Sequence, residues 1–199
     1  MAHIELVSRD DLTEHEPLLA RFERVMGTVP NSLLAMAHRP AILEAFSALA
    51  AEISGRGTVD LGFKQLVAHV ASTSAGCRYC QAHTASLAEH RYGVDVDRIA
   101  AVWEFETNDL FTDTERAALR LARDAGLQPN AVTKQHFDEL APHFDQGQMV
   151  ELVAIISLFG FLNRWNETIA TDLEDKPFEF ASRHLHEAGW EPGRHRPEG

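Results

Sequence analysis

The sequence predicts an all-α protein. Apolar residues recur every three or four positions along almost the whole chain, which is the spacing of amphipathic helices. Capping residues or prolines stand where these periodic segments begin, and several of the segments end at a glycine. Only HIELV near the start looks extended. We therefore expect a single-domain helical bundle over residues 1–199, with its core at about 17–173.

The first half of the sequence is predicted to form a series of helices. HEPLLARFERVMG forms an amphipathic helix that stops at Gly27, and TVPNSLLAMAHRP holds a short helix before Pro40 begins the next one. A third amphipathic helix runs from Asp60 to about Ser74, and residues 77–92 form another that ends at Gly93. The helix over Arg39 to Ile53 has one apolar face that needs a partner to cover it, formed by Ile42, Leu43, Phe46, Leu49 and Ile53.

The second half continues the helical pattern. DVDRIAAVWEF is short and helical, TDTERAALRLARDAG is capped by Thr112 or Asp113, and Thr133 starts TKQHFDELAPHF. Residues 146–173 form the longest helix, which is apolar nearly all round and is expected to run through the middle of the bundle. The tail, residues 188–199, is rich in glycine, proline and charge, and we expect it to be loosely held.

Charge and hydropathy exclude several classes of partner. Thirty acidic and eighteen basic residues give a net charge of −12, which disfavours nucleic acid and anionic lipid. The longest strongly apolar run, LVAIISLFGFL, has eleven residues and is too short to cross a bilayer. The start of the sequence has no secretory pattern. We expect a cytoplasmic protein that binds neither nucleic acid nor membrane.

Both cysteines of the chain lie two residues apart in AGCRYCQAHTA. Cys77 stands where a helix opens, so unpaired backbone N–H groups and the helix dipole favour its thiolate, and Arg78 adds a positive charge. Cys80 lies about 60° further round that helix, within reach of Cys77. A disulfide here would close too small a loop to serve as a structural staple. The spacing favours redox chemistry.

The two cysteines have more than one interpretation. These residues are either a redox pair or two small buried hydrophobic residues. A c-type haem is excluded because Gln81, and not histidine, follows the second cysteine, and a thioredoxin-type motif would need neighbouring strands. We expect no metal and no cofactor. A zinc site would use Cys77, Cys80 and His83 and would need a fourth ligand, for which His69 and His90 are candidates.

The segment AGCRYCQAHTASLAEHRYG resembles the motif of the carboxymuconolactone decarboxylase-like superfamily, particularly its alkylhydroperoxidase D-like and peroxidase-related branch. In that branch, Cys-x-Tyr/Phe-Cys is followed by one or two histidines. GTVPNSLLAMAHRPAILEAF and LFGFLNRWNET are similar to flanking stretches of the same branch, so the resemblance covers roughly residues 17–170. It implies an all-helical homo-oligomer with a peroxiredoxin-type reaction and neither metal nor haem.

The resemblance also implies roles for single residues. Cys80 would attack a hydroperoxide and Cys77 would resolve the product to a disulfide, which a dithiol protein or a small thiol reopens. The helix dipole alone favours the opposite order. Where the branch has a proton-relay glutamate and histidine, this chain has Gln65 and Thr84, and the histidine is displaced to His83.

Two histidines are candidates for the missing relay. His83 is a candidate for the general base and equally for a packing residue. His69, one turn after Gln65, would reach the same pocket, although packing is the favoured interpretation. Two other functions stay open: a carboxymuconolactone decarboxylase-like enzyme acting on a small cyclic acid, and a non-catalytic helical assembly protein.

Overall fold

The computed structural model describes residues 2–197, and within that range it contains helices and no strand. The all-α prediction is confirmed, and the HIELV segment is irregular. Four short 3-10 turns accompany the α-helices. The α-helices are α1 (Glu16–Met26), α2 (Asn31–Met36), α3 (Pro40–Gly55), α4 (Leu61–Ser74), α5 (Arg78–Tyr92), α6 (Val96–Ala100), α7 (Asp113–Gly126), α8 (Lys134–Leu140), α9 (Gln146–Ile169) and α10 (Asp175–His184).

Local signals set most of the helix ends. The side chains of Thr112 and Glu115 form a reciprocal capping box at the start of α7, as the sequence predicted. Asp145 and Gln148 form another at the start of α9. At its end, α1 passes into Gly27 with a φ of 74°, a left-handed conformation that glycine adopts without strain.

Helices α4 and α5 form the centre of the bundle. Helix α4 packs against α5, α7 and α9, and α5 also packs against α9 and α10. Every residue of α4 from Gly62 to Ser72 is buried, as is every residue of α5 from Tyr79 to Ala88. Cys77 ends the segment that joins these two helices and Cys80 lies in the first turn of α5, so the centre of the bundle also positions the site.

The prediction that the longest helix runs through the middle is wrong. Helix α9 ends at Ile169 and leaves one apolar side uncovered, where Val150 is 67% exposed. Its length and composition also satisfy the criteria for a membrane span, a test that core helices of soluble proteins pass as well. The uncovered side of α9 and its neighbour α3, termed the α3–α9 face, consists of Ile42, Leu49, Val150, Val153 and Phe161.

A buried ion pair joins α4 to α9. Nζ of Lys64, which is 1% exposed, lies 2.7 Å from a carboxylate oxygen of Glu151. Burial opposes ionisation of Glu151, but Lys64 and the N–H groups of Thr58 and Val59 outweigh it and lower its pKa to about 2. The chain passes this carboxylate at Gly57, where a Cβ would lie 2.0 Å from an oxygen of Glu151, so only glycine fits.

Part of the C-terminal tail is packed into the protein. Trp190 is 3% exposed and His195 is fully buried. The indole Nε1 of Trp190 donates to the carbonyl oxygen of Arg78 at 3.1 Å, and the backbone N–H of Leu173 donates to that of His195 at 2.9 Å. The expectation of a loosely held tail is wrong for these residues, because buried side chains fix them. Residues 198–199 of that tail lie outside the described range.

Candidate functional site

The two cysteines stand at the start of α5, as predicted. Cys77 is the N-cap residue, and its sulfur accepts a hydrogen bond from the backbone N–H of Cys80 at 3.4 Å. Both are free thiols, and both are almost completely buried. The helix start therefore holds a dithiol whose two sulfur atoms belong to the same helical turn.

Only Cys80 of this pair lines the neighbouring cavity, which has a volume of about 160 Å³. The cavity reaches the surface beside the exposed residues Arg21 and Gly55. Most of its wall is apolar, with Phe22, Leu33, Phe46, Leu87, Leu158 and Phe159 among the lining residues. A small molecule in the cavity is therefore next to Cys80, whereas Cys77 does not line the cavity.

The environment of Cys80 favours the neutral thiol. Burial raises the pKa of this thiol well above its ordinary value, and the adjacent sulfur of Cys77 raises it further. Asn166 on α9 opposes this effect, because its Nδ2 donates a hydrogen bond to the Cys80 sulfur at 3.5 Å. Cys80 therefore needs a base before it can act as a nucleophile.

His83 has a carboxylate partner at the start of α10. Its Nε2 lies 2.6 Å from Oε2 of Glu174, whose Oε1 accepts hydrogen bonds from the Tyr79 hydroxyl at 2.8 Å and from the backbone N–H of Asn31. Burial alone would raise the pKa of Glu174, but the charge of His83 and these hydrogen bonds outweigh it and hold that pKa below its usual value. Glu174 is thus a buried, ionised carboxylate.

The contact between His83 and Glu174 decides what the imidazole can do. A carboxylate that accepts from Nε2 keeps a proton on that nitrogen, so proton exchange with another group takes place at Nδ1. His83 lines the same cavity as Cys80. A histidine held by a buried carboxylate beside a nucleophile is the arrangement of a general base with its orienting group.

Gln65 lies in the cavity wall, where the superfamily branch has a glutamate. It is 1% exposed, and within residues 2–197 neither its Oε1 nor its Nε2 has a hydrogen-bond partner. Ser47, across the cavity on α3, has a buried hydroxyl in the same condition. The cavity therefore contains polar atoms that the described part of the chain does not satisfy.

Thr84 and His69 support the helix that carries the cysteines. Thr84 lines the cavity, and its hydroxyl donates to the carbonyl oxygen of Cys80 at 2.8 Å. His69 is not part of the cavity wall; its Nδ1 lies 3.1 Å from the carbonyl oxygen of Gln81 and 3.0 Å from Oγ1 of Thr84. Burial lowers the pKa of His69 to about 4, so its ring is neutral at pH 7. This geometry agrees with packing as the role of His69.

A second cluster surrounds Cys77. Its sulfur, a carboxylate oxygen of Glu167 and a ring nitrogen of His195 all lie within 4.8 Å of one another. Nδ1 of His195 donates to the carbonyl oxygen of Thr171 at 2.7 Å, and Nε2 lies 2.8 Å from Glu167. Both ring nitrogens of His195 therefore have partners within the described part of the chain, and these contacts fix the ring beside Cys77.

The arrangement of these side chains can be compared with the ligand set of a metal site. Within residues 2–197, Cys77, Glu167 and His195 form the sole group of three or more ligand atoms close enough to share an ion. The zinc set considered from the sequence is not assembled, because His83 is bound to Glu174. A structural zinc site needs four ligands, whereas this group offers three ligand atoms. Two of these three atoms, on His195 and Glu167, already contact each other.

Three residues of the site escaped the sequence analysis as functional candidates. Glu174, Tyr79 and His195 complete the surroundings of His83 and Cys77, yet no motif spacing connects Glu174 or His195 with the cysteines. Tyr79 lies inside the CxxC motif and was visible as its aromatic position. Asn166 follows the apolar run of α9, where no motif marks it as a partner of Cys80.

The comparisons with known proteins agree with this architecture. Residues 40–124 match the model of the carboxymuconolactone decarboxylase family. The crystal structure of the debrominase Bmp8 superposes with a TM-score of 0.84 at 33% identity, over 89% of this chain and 95% of Bmp8. This chain belongs to the carboxymuconolactone decarboxylase family.

Two further solved structures are similar to this chain. A cysteine-to-alanine variant of Bmp8 in complex with 2,3,4-tribromopyrrole superposes with a TM-score of 0.85 at 32% identity, over 90% of this chain and 96% of that chain. A peroxidase-related alkylhydroperoxidase D core from Ralstonia eutropha JMP134 superposes with a TM-score of 0.74 over 89% of this chain and 94% of that chain. At 22% identity it shows the fold alone.

YnjA of Escherichia coli (strain K12) is 31% identical over 114 residues, and the match covers 57% of this chain. It spans 62% of YnjA, so the chain covers less than two thirds of this curated relative.

Proposed function

We propose that this protein is a dithiol-dependent reductase of small apolar molecules, with hydroperoxides as its substrates. The observation that carries the proposal is the placement of the dithiol. Cys80 lines the apolar cavity, and Cys77, which does not line the cavity, belongs to the same helical turn as Cys80. His83, held by Glu174, supplies the base that the neutral Cys80 thiol requires.

The reaction has three balanced steps. His83 takes the proton of Cys80, and the sulfur attacks the outer oxygen of the hydroperoxide; the O–O bond breaks, an alcohol leaves with a proton, and Cys80 becomes a sulfenic acid. The sulfur of Cys77 then displaces water and forms the Cys77–Cys80 disulfide. An external dithiol reduces this disulfide and is itself oxidised.

The test adds cumene hydroperoxide to the reduced protein and counts thiols by stopped-flow and end-point assays. We expect two thiols to be lost for each hydroperoxide reduced. In Cys77→Ser, the matched control, Cys80 stops at a sulfenic acid that dimedone traps. If the native protein loses thiols no faster than Cys80→Ser, hydroperoxide reduction is refuted, and a decarboxylase or a non-catalytic assembly protein becomes the better interpretation.

A second candidate is reductive debromination, which the similarity to a debrominase over 95% of its length favours. In this reaction a C–Br bond is replaced by C–H, bromide and a proton are released, and the two thiols are oxidised to the disulfide. The same assay with 2,3,4-tribromopyrrole, read as bromide released per disulfide formed, separates the two candidates. Release of one bromide per disulfide, without hydroperoxide turnover, would select debromination.

A further inference from the structure

Three side chains that can bind a metal ion meet at the start of α5. The Cys77 sulfur, a carboxylate oxygen of Glu167 near the end of α9 and a ring nitrogen of His195 in the tail lie within 4.8 Å of one another. Zinc takes thiolate, imidazole and carboxylate ligands in proteins. Bonds of about 2.0–2.3 Å at tetrahedral angles separate such atoms by about 3.3–3.6 Å, so shifts of about 1 Å bring all three onto one ion.

The imidazole of His195 is oriented as a metal ligand. A backbone carbonyl group can only accept, so Nδ1, which lies 2.7 Å from the carbonyl oxygen of Thr171, carries a hydrogen. The neutral ring then presents a lone pair at Nε2, which lies 2.8 Å from Oε1 of Glu167. Histidines that bind metal commonly donate from their other ring nitrogen to a backbone carbonyl group, which fixes the tautomer and the ring.

Glu167 supplies an ionised carboxylate and a route for the ion. Burial alone would raise its pKa, but His195, Arg194 and the backbone N–H of Arg78 outweigh this effect and hold the pKa below its usual value. The Glu167 side chain is 31% exposed and lines a second cavity, of about 930 Å³, which reaches the surface beside the exposed Arg164. An ion that enters this cavity therefore meets Glu167 before the two buried ligands.

The charges of the three ligands balance those of a divalent ion. A thiolate and a carboxylate together neutralise its two positive charges, which a buried site requires. Nε of Arg194 lies 3.8 Å from Oε2 of Glu167, but the Arg194 side chain is 60% exposed, so solvent screens it. The ion has to replace the direct contact between His195 and Glu167, so we expect exchangeable binding and not a structural site.

We propose that Cys77, Glu167 and His195 bind a divalent ion of the zinc type, with water as the fourth ligand, and that this ion withholds Cys77 from disulfide formation. On binding, the ion takes the place of the Cys77 thiol proton, which passes to solvent, and no electron is transferred. The effect on the disulfide rests on the proposed function. Metal binding itself requires no turnover.

The first experiment titrates the reduced protein with Co²⁺ and then displaces it with Zn²⁺. We expect one ion per chain, with the sulfur-to-cobalt charge-transfer band of a thiolate ligand. Cys77→Ser should abolish this band, and His195→Gln should weaken binding at least about tenfold. Glu167→Gln should weaken it similarly, and this variant keeps His195 in place should the tail loosen in His195→Gln.

Cys80→Ser and the exposed His186→Gln are the matched controls, and both should keep the band and the affinity. Absence of the band in the native protein would overturn the proposal. Its loss in Cys80→Ser as well as in Cys77→Ser would also overturn it, because the two cysteines would then bind the ion as a pair.

The second experiment adds cumene hydroperoxide with and without bound Zn²⁺. We expect zinc to increase several-fold the Cys80 sulfenic acid that dimedone traps, because Cys77 is held by the ion. Equal trapping in both samples would overturn the effect on the disulfide. Thiol oxidation without cobalt binding would refute the metal site alone, whereas cobalt binding without thiol oxidation would refute the redox function and keep the metal site.

Discussion

Nε2 of His83 and Oε2 of Glu174 lie 2.6 Å apart, although 91 residues separate them in the sequence. This contact supplies a carboxylate that the motif lacks at Gln65. In the proposed mechanism the base and its orienting group therefore come from α5 and from the start of α10, while Gln65 occupies the position usual for the carboxylate.

The charge of Glu174 should matter more than its shape. Glu174→Gln keeps the side-chain volume but removes the ionised acceptor, so the imidazole of His83 loses the carboxylate that orients it. We expect the thiol oxidation rate with cumene hydroperoxide to fall about 100-fold, measured by stopped-flow. Glu179→Gln on the exposed side of α10 is the control. A rate within twofold of the native protein would show that Glu174 has no part in proton transfer.

Asn166 should set how readily Cys80 ionises. Its hydrogen bond to the sulfur favours the thiolate, so Asn166→Leu should raise the pKa of Cys80 and move its alkylation profile to higher pH. We expect alkylation by iodoacetamide at pH 8 to slow several-fold. Thr171→Val removes the neighbouring hydrogen bond to Oδ1 of Asn166 and leaves the sulfur contact in place. An identical profile in both variants would contradict this role.

His69 should make the stability depend on pH in mildly acidic solution. Its pKa is about 4 in the folded protein and 6.5 in the unfolded chain, so between these values the unfolded state binds more protons. The free energy of unfolding should therefore fall as the pH drops from 6.5 to 4, by about 3 kcal/mol in total. Urea titrations of native protein and His69→Asn measure this slope.

His69→Asn keeps a donor for the Gln81 carbonyl group and should flatten the slope, because it has no proton to take up. His90→Asn on the exposed end of α5 should leave the slope unchanged. Equal slopes in His69→Asn and the native protein would assign the acid sensitivity to another group.

His195 should speed closure of the disulfide. A ring nitrogen of His195 lies within 4.8 Å of the Cys77 sulfur, and an N–H donor at that position would stabilise the anionic sulfur that attacks the sulfenic acid. In His195→Gln we expect the sulfenic acid on Cys80 to live several-fold longer, followed by dimedone trapping and mass spectrometry. The exposed His186→Gln is the matched variant. An unchanged lifetime would limit His195 to fixing the tail.

The α3–α9 face should hold copies of the chain together. Its five apolar residues lie on two packed helices and are uncovered in the single chain. We expect the double variant Val150→Asp and Val153→Asp to have a lower molar mass than the native protein by size-exclusion chromatography with light scattering. Leu110→Asp, at an exposed apolar position elsewhere, should keep the native mass. A native protein that already runs as a monomer would refute the expected homo-oligomer.

The sequence predicts those parts of the structure that depend on nearby residues. The capping box at Thr112, the glycine after α1 and the helix start at Cys77 are local signals, and all three are present. Helix α9, by contrast, has apolar residues on nearly all sides, and this pattern does not show which of those sides the rest of the chain covers. The partners of His83 and Cys77 are unpredictable for the same reason, since Glu174 and His195 approach only after α10 and the tail have packed.

The placement of Cys80 in the wall of a cavity of about 160 Å³ also implies that covalent reagents reach it according to their size. We expect iodoacetamide to label Cys80 in the folded protein and a maleimide attached to a fluorescent dye to label it far more slowly. Labelling with a small probe would then measure the reduced Cys80 thiol in the folded protein. Labelling with a bulky probe would measure the fraction of unfolded molecules.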